Sequence, residues 1–489
     1  MAPLSRMQDR PTMHLVPLYR EIPYQEPFAI YKKVCAGQGV LFESLKGSAQ
    51  ISRYSFICIE PYLTFSVKDG LVEILCYGRR AVSFRNPLQR LRELVTSYPQ
   101  AGIEGLPPFQ GGAAGMLSYD FVRYLEKLPD TAEDDLHIPD AHFFMFDRVI
   151  AFDHVLKKCW VIVCPGARDT ALGFTEMKRD RDECIDEAEA EVDRLVRAVA
   201  RDAAPVICAP VSHTPVDIFP QTTKERYMEM VRRAKEYIAA GDIFQANLSL
   251  RIRGEIGTIS PLDIYCILRE INPSPFAAFI DFGDYAIVSS SPERLVRVAG
   301  SRVDTRPIAG TRPRGRDLQE DSSMSAELLL NEKERAEHIM LIDLERNDLG
   351  KVADYGSVMV DELMITEKYS HVIHIVSNVK GDLVATKDCF DVIRAAFPGG
   401  TITGVPKVRC MEIIEELEQR RRGPYTGSLG YIGFNGNMDL NIIIRTFVVK
   451  EGMAYVQAGA GIVADSDPER EYHESLKKAE ALISTLRKL

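Results

Sequence analysis

Apolar positions change their period partway along the chain. Between residues 15 and 201 they come in short runs, among them 54–59, 71–76 and 159–163, separated by Gly, Pro and Asn. Runs of that length bounded by turn residues predict strands. Residues 178–201 differ, because Ile185, Val192, Leu195 and Val199 recur at helical spacing in a charged segment. Residues 202–221, DAAPVICAPVSHTPVDIFPQ, hold four prolines and no period, which predicts a linker or domain crossing. Helical spacing returns over 227–240, and beyond Gly241 strand-like and helix-like patterns alternate to the end. This predicts an N-terminal domain over 1–201 and a second domain over 222–489. The mixture points to an α+β fold.

The 489 residues allow two or three domains at roughly 150 residues each. With 46% hydrophobic and 27% charged residues, the composition is that of a globular protein with a large core. The net charge of −10 disfavours nucleic acid, whose non-specific binding depends on Lys and Arg neutralising phosphates. It does not disfavour a small anion, which meets only the charges of its own pocket. Ten cysteines without a CxxC pair read as buried free thiols in a reducing compartment. The first residues contain no apolar secretory segment, and nowhere do 18 apolar residues run together. A cytoplasmic location and no membrane contact are expected.

Two carboxylate stripes change the picture. In 331–348, NEKERAEHIMLIDLERND, Glu334 and Glu337 share a helix face. In 464–478, Asp467 and Pro468 form a helix start, and Glu471, Glu474 and Lys478 follow along one stripe. Each stripe alone reads as a solvated face. Brought together, they could hold a hard cation such as Mg²⁺, which takes a few carboxylates plus water and substrate oxygens. Residues 397–407, FPGGTITGVPK, lack the Gly-Lys-Ser/Thr ending of a phosphate loop, so nucleotide binding is not expected there. Residues 457–463, QAGAGIV, fit either a tight turn or a close backbone approach to an anion. Residues 306–315, RPIAGTRPRG, place three arginines in a rigid segment suited to carboxylates or to a salt-bridged lid.

Taken in order, these segments resemble the chorismate-utilising family of anthranilate, aminodeoxychorismate, isochorismate and salicylate synthases. The matching words are GDIFQANLS (241–249), SSPERL (290–295), RPIAGTRPRG, ERAEHIMLIDLERNDLG (334–350), YSHVIHIVS (369–377), FPGGTITGVPK, GYIGFNGNMDLNIIIRT (430–446) and AGAGIVADSDPEREYHES (458–475). LFES (41–44), SRYSF (52–56) and PFQGGAAGMLSYD (108–120) extend the likeness more loosely into the N-terminal half. The resemblance implies two intertwined domains of antiparallel sheet and helix. It implies Glu337 and Glu474 as Mg²⁺ ligands, with Glu334 and Glu471 acting through water. Glu293 resembles the acid that protonates the departing C4 hydroxyl, and His374 resembles the family's active-site histidine. Arg445, Lys478 and the backbone of Gly459, Ala460 and Gly461 would clamp the substrate carboxylates, with Gly404 and Tyr425 also at the substrate.

The family divides by nucleophile. Members that use water carry a lysine base where this chain has Gln245, and an amide cannot deprotonate water. Ammonia is therefore implied, and no cysteine lies in a G-x-C-x-G glutaminase setting, so a separate glutamine amidotransferase subunit is expected. Two products remain open. Ala309 replaces the lysine that many aminodeoxychorismate synthases carry, which favours anthranilate synthase in the tryptophan pathway. QANLS, NPSPFAAF (272–279), PFQGG and FPGGTITG resemble aminodeoxychorismate synthase component I, some of whose members share PIAGT. The wider pattern favours 4-amino-4-deoxychorismate, the 4-aminobenzoate precursor of folate. A non-catalytic sensor on the same fold is the reading of another class. Glu43, Ser44, Pro273 and Phe276 resemble residues around the feedback tryptophan of anthranilate synthases, or else merely join the domains. Because Phe276-Ala277 departs from the usual Tyr-Met, weak or no tryptophan inhibition is expected.

Overall fold

The computed structural model describes residues 16–48, 51–170, 180–201, 216–368 and 372–489. Most of the expected linker, 202–215, lies outside the described residues, and its end, Ile218–Pro220, is a short strand paired with Gln245–Glu255. The predicted strands appear as Tyr54–Ile59, Leu71–Cys76 and Lys158–Val163. The charged helix appears as Arg181–Ala200, with its buried stripe running from Cys184 through Ala188, Val192, Leu195 and Val199. Ile185 is only half-buried, so the stripe starts one residue earlier than the apolar spacing alone suggests.

Two twelve-stranded sheets dominate, and their strand pairings are antiparallel. Each sheet takes strands from both halves of the sequence. In the first, Gly39–Glu43 pairs with Phe276–Asp281, setting Ala277 opposite Glu43 and Phe279 opposite Leu41. In the second, Gly112–Leu117 pairs with Ser428–Gly433. The two halves of the chain are thus interleaved strand by strand, as the resemblance implies.

Side-chain alternation explains the layering. Ile150 and Phe152 pack with the helices outside the first sheet, while Val149 and Ala151 on the same strand face the second sheet. Phe56 and Trp160 of the first sheet meet Phe144 and Phe146 of the second in that inner layer. Helices, including Glu332–Gly350, cover the second sheet's other face with a third apolar cluster. Strands covered on both faces read as continuous apolar runs, such as AHFFMF in Ala141–Phe146.

Eight cysteines are free, all buried except Cys35. Cys266 departs from the expected free thiols because it is disulfide-bonded, and Cys208 lies outside the described residues. Among the described residues no helix is long and apolar enough to cross a membrane.

Candidate functional site

The two carboxylate stripes meet. The helix Glu332–Gly350 starts where Asn331 caps it by accepting from the Glu334 amide, which points Glu334 and Glu337 toward the neighbouring strands. The helix Pro468–Leu486 starts at Asp467, whose side chain accepts from the Arg470 amide, with Pro468 in the first turn. Burial raises the Glu337 carboxyl above the usual range, the like charges of Glu334 and, to a smaller extent, Glu474 add to the rise, and Gln245 and Lys478 oppose it. Each carboxylate also has a local partner. Arg312 Nη1 lies 3.1 Å from Glu334 Oε1, Lys478 Nζ lies 3.0 Å from Glu474 Oε1, and Gln245 Nε2 donates to Glu337 Oε1 at 3.2 Å. Glu471 sits one turn before Glu474, and its charge acts on the buried Tyr227 hydroxyl.

Gln245 begins the long strand Gln245–Glu255, whose neighbour is Met453–Ile462. The segment 457–463 is therefore strand rather than a tight turn, and Gly459, Ala460 and Gly461 pair with Ser249, Leu248 and Asn247. A Cβ on Gly461 would stand 2.3 Å from Gln245 Nε2, so only glycine leaves room for the Gln245 side chain. Gly404 packs on the same strand, where a Cβ would meet the Gln245 carbonyl at 2.1 Å. Lys478 Nζ donates to the Gly459 carbonyl at 3.0 Å, tying the second helix to this strand.

The acid lies where the chain crosses from the first sheet to the second, and the second sheet supplies the histidine. Glu293 lies at the turn between Tyr285–Ser291 and Arg294–Ala299, 7% exposed, with Oε1 lacking a hydrogen-bond partner. Burial pushes its carboxyl up to about 7. The nearby Thr401 hydroxyl, the Ile308 amide, Lys478 and Arg445 oppose that rise. His374, on Val372–Asp382, bonds through Nδ1 to the Gly310 carbonyl at 3.0 Å. A carbonyl only accepts, so Nδ1 carries the proton and Nε2 the lone pair. Burial pushes this imidazole down to about 4 and keeps it neutral, with Arg445 and Lys478 acting in the same direction. Ala309 is buried and pairs with Ile375, next to His374. Arg445 is half-buried at a left-handed backbone position, φ 50°, and its carbonyl accepts from the Ser290 amide.

Other expected residues take different places. Segment 306–315 is mostly strand, Ile308–Pro313, and its arginines are salt-bridged: Arg306 to Glu362 and Glu367, Arg314 to Asp321. Tyr425 is buried beside Arg422. The Arg422 guanidinium lies 5.5 Å from its ring, and Arg422 Nη2 donates to the Asn247 carbonyl opposite Gly461. The first residues of the 369–377 word, 369–371, lie outside the described residues.

Glu43, Ser44 and Phe276 line a separate cavity of about 880 Å³, together with Pro275 rather than the expected Pro273. Glu43 is already bonded to Tyr265 and Arg269, and Ser44 Oγ donates to the Tyr54 and Pro275 carbonyls. Thr401 and Glu345 also belong to the acid's surroundings. Spacing does not reveal them, because only burial distinguishes them from surface residues of the same type.

Among the described residues no group of three or more His, Cys, Asp and Glu side chains gathers closely enough to hold a metal unaided. The facing Glu337 and Glu474 do suit Mg²⁺, which binds through one or two carboxylates and takes its other ligands from water and substrate.

Known proteins resemble the chain over nearly its whole length. The family described as chorismate binding enzyme matches residues 40–484. Aminodeoxychorismate synthase component 1 of Bacillus subtilis is 42% identical over 95% of this chain and 96% of its own. Anthranilate synthase component 1 of Thermus thermophilus is 46% identical over 94% and 95%. The crystal structure of anthranilate synthase component I from Streptococcus pneumoniae superposes with a TM-score of 0.77 at 35% identity, covering 94% of this chain and 97% of that one. The chain therefore belongs to the chorismate binding enzyme family and is a chorismate-utilising enzyme of the anthranilate and aminodeoxychorismate synthase type.

Proposed function

We propose that the protein aminates chorismate with ammonia delivered by a glutamine amidotransferase subunit and releases 4-amino-4-deoxychorismate. Gln245 is the observation that carries amination. Its Nε2 donates one hydrogen bond to Glu337, and its buried Oε1 has no hydrogen-bond partner among the described residues. A buried acceptor without a donor is costly, and an N–H of incoming ammonia would satisfy it. An amide has no basicity with which to activate water.

The other side chains have compatible tasks. Glu293, held protonated toward neutral pH by burial, would give its proton to the departing C4 hydroxyl, which leaves as water. Neutral His374 brings no added positive charge that would strip that proton early. Lys478 and Arg445 are the cations nearest the acid and suit the two carboxylates of chorismate. Glu337 and Glu474 would hold Mg²⁺, with Glu334 and Glu471 acting through water. Once bound, the ion supplies positive charge that offsets the substrate's ring carboxylate.

The test is the purified chain with chorismate, Mg²⁺ and ammonium. Anthranilate fluorescence is read directly, and 4-aminobenzoate after addition of an aminodeoxychorismate lyase. Lyase-dependent 4-aminobenzoate is the expected result. The second reading, anthranilate synthase, is favoured by buried Ala309, which offers no amine for a covalent adduct at C2. Dominant anthranilate without lyase-dependent 4-aminobenzoate would establish it instead.

A further inference from the structure

Asn247 follows Gln245 on the same face of the strand Gln245–Glu255, because side chains two apart along a strand point the same way. The neighbouring strand is glycine where these two side chains lie. A Cβ on Gly461 would stand 2.3 Å from Gln245 Nε2, and a Cβ on Gly459 would stand 3.0 Å from Asn247 Oδ1. The Asn247 amide crosses to the turn 399–403, where its Nδ2 donates to the Thr401 carbonyl at 3.3 Å. A carbonyl only accepts, so the end of the amide that faces it is the NH2.

Every carbonyl of that turn has a donor. The Thr403 hydroxyl donates to Gly399 and the Thr403 amide to Gly400, Arg422 Nη1 donates to Ile402, and the backbone amide of Asn247 donates to Thr403. Only the Thr401 carbonyl depends on a side chain of the strand that carries Gln245. On its other side the turn rests on the strand that follows the acid. A Cβ on Gly399 would stand 3.1 Å from Leu295 Cδ1, two residues past Glu293. It would stand 3.3 Å from Cδ1 of Ile442, a residue whose amide donates to the Glu293 carbonyl at 3.0 Å. The Thr401 hydroxyl lies beside the Glu293 carboxyl. Thr401 Oγ1 and Glu293 Oε1 are both buried without a hydrogen-bond partner among the described residues, so both are open to a group of the substrate.

We propose that Asn247 is a positioning residue that fixes Thr401 against the acid and so holds the surroundings of Glu293 in register with Gln245. In this role it acts through Thr401 and not on a reacting atom. The inference rests on the reading of Glu293 as the acid and Gln245 as the amide that meets ammonia.

The test is Asn247→Leu, which keeps the size of the side chain and removes its N–H. Arg422 and the strand backbone still hold the rest of the turn, so the fold should survive. In ammonium-dependent chorismate consumption kcat should fall about tenfold through misplacement, with KM for chorismate within about twofold of wild type. In a Thr401→Val background the same substitution should change kcat by less than about twofold, because residues that act as one unit are not additive. Equal losses of kcat in both backgrounds, or an effect on KM alone, would overturn the proposal. If Asn247→Leu does not fold, Asn247→Ala runs the same cycle. A measurement without turnover follows the protonated-carboxyl infrared band of Glu293, identified by its loss in Glu293→Gln. The Thr401 hydroxyl opposes the rise of this carboxyl, so releasing it should move the titration upward in Asn247→Leu, with Lys478 and Arg445 the same in both proteins. An unmoved band would overturn the proposal. A wild type that consumes no chorismate would overturn the amination reading, while the infrared comparison would still decide whether Asn247 holds Thr401 against Glu293.

Discussion

Each side chain of the proposed site takes its properties from what surrounds it. The Glu293 carboxyl, raised to about 7, is in its acid form below that pH and is lost as pH rises past it. His374, lowered to about 4, stays neutral until pH falls toward that value. Activity normalised to free ammonia should therefore be flat from about pH 5 to 6 and fall through about 7 as Glu293 ionises, with no added step from a histidine. Glu293→Gln should lower the rate at least about 100-fold at pH 6.5 while leaving thermal unfolding unchanged, since general acid catalysis is worth about that much or more. A variant within tenfold of wild type would remove Glu293 from the mechanism. Gly461→Ala gives a finer test, because its Cβ would displace the amide end of Gln245. That end is flexible, so the fold should survive while turnover falls about tenfold through misplacement of the amide. Equal loss of stability and activity would argue against a role for Gln245 in positioning.

At the scale of elements, two helices deliver the carboxylates and two strand pairs deliver the acid, amide and histidine. Glu474 is exposed and Glu337 half-buried, so Glu337→Ala and Glu474→Ala should each abolish activity with little change in unfolding temperature. Normal turnover by either variant at ordinary Mg²⁺ concentrations would remove that residue as a ligand. The helix start at Asp467 was legible from sequence, because an Asx cap followed by proline is local chemistry, and the structure shows Asn331 capping the other helix in the same way. Residues 457–463 were open between a tight turn and a close backbone approach to an anion, since glycine serves both, and the pairing of 459–461 with 247–249 removes the tight turn. The arginines of 306–315 were open between ligand and lid, and their acidic partners lie as far along the chain as Glu367. Glu345 escaped notice because a glutamate on a charged helix reads as solvated until the packing around it is known.

The whole molecule is an interleaving of two sequence halves that local pattern could not show. The pairing of 39–43 with 276–281 joins segments more than 200 residues apart, and strands covered on both faces lose the alternation that marks a sheet. The order of words along the chain did show the family, because motif identity survives where register is silent. The cavity beside Glu43, Ser44 and Phe276 bridges the two halves, and the polar groups of Glu43 and Ser44 are already engaged. Tryptophan should therefore inhibit weakly or not at all in a chorismate-consumption assay. Inhibition at micromolar levels would move the assignment to anthranilate synthase. The proposed site adds ammonia, and not water, to chorismate. The most direct measurement is mass spectrometry of the products formed from chorismate, Mg²⁺ and ¹⁵N-labelled ammonium by the purified chain. A ring product carrying the label and no isochorismate is expected; isochorismate accumulating in place of a labelled product would contradict addition of ammonia.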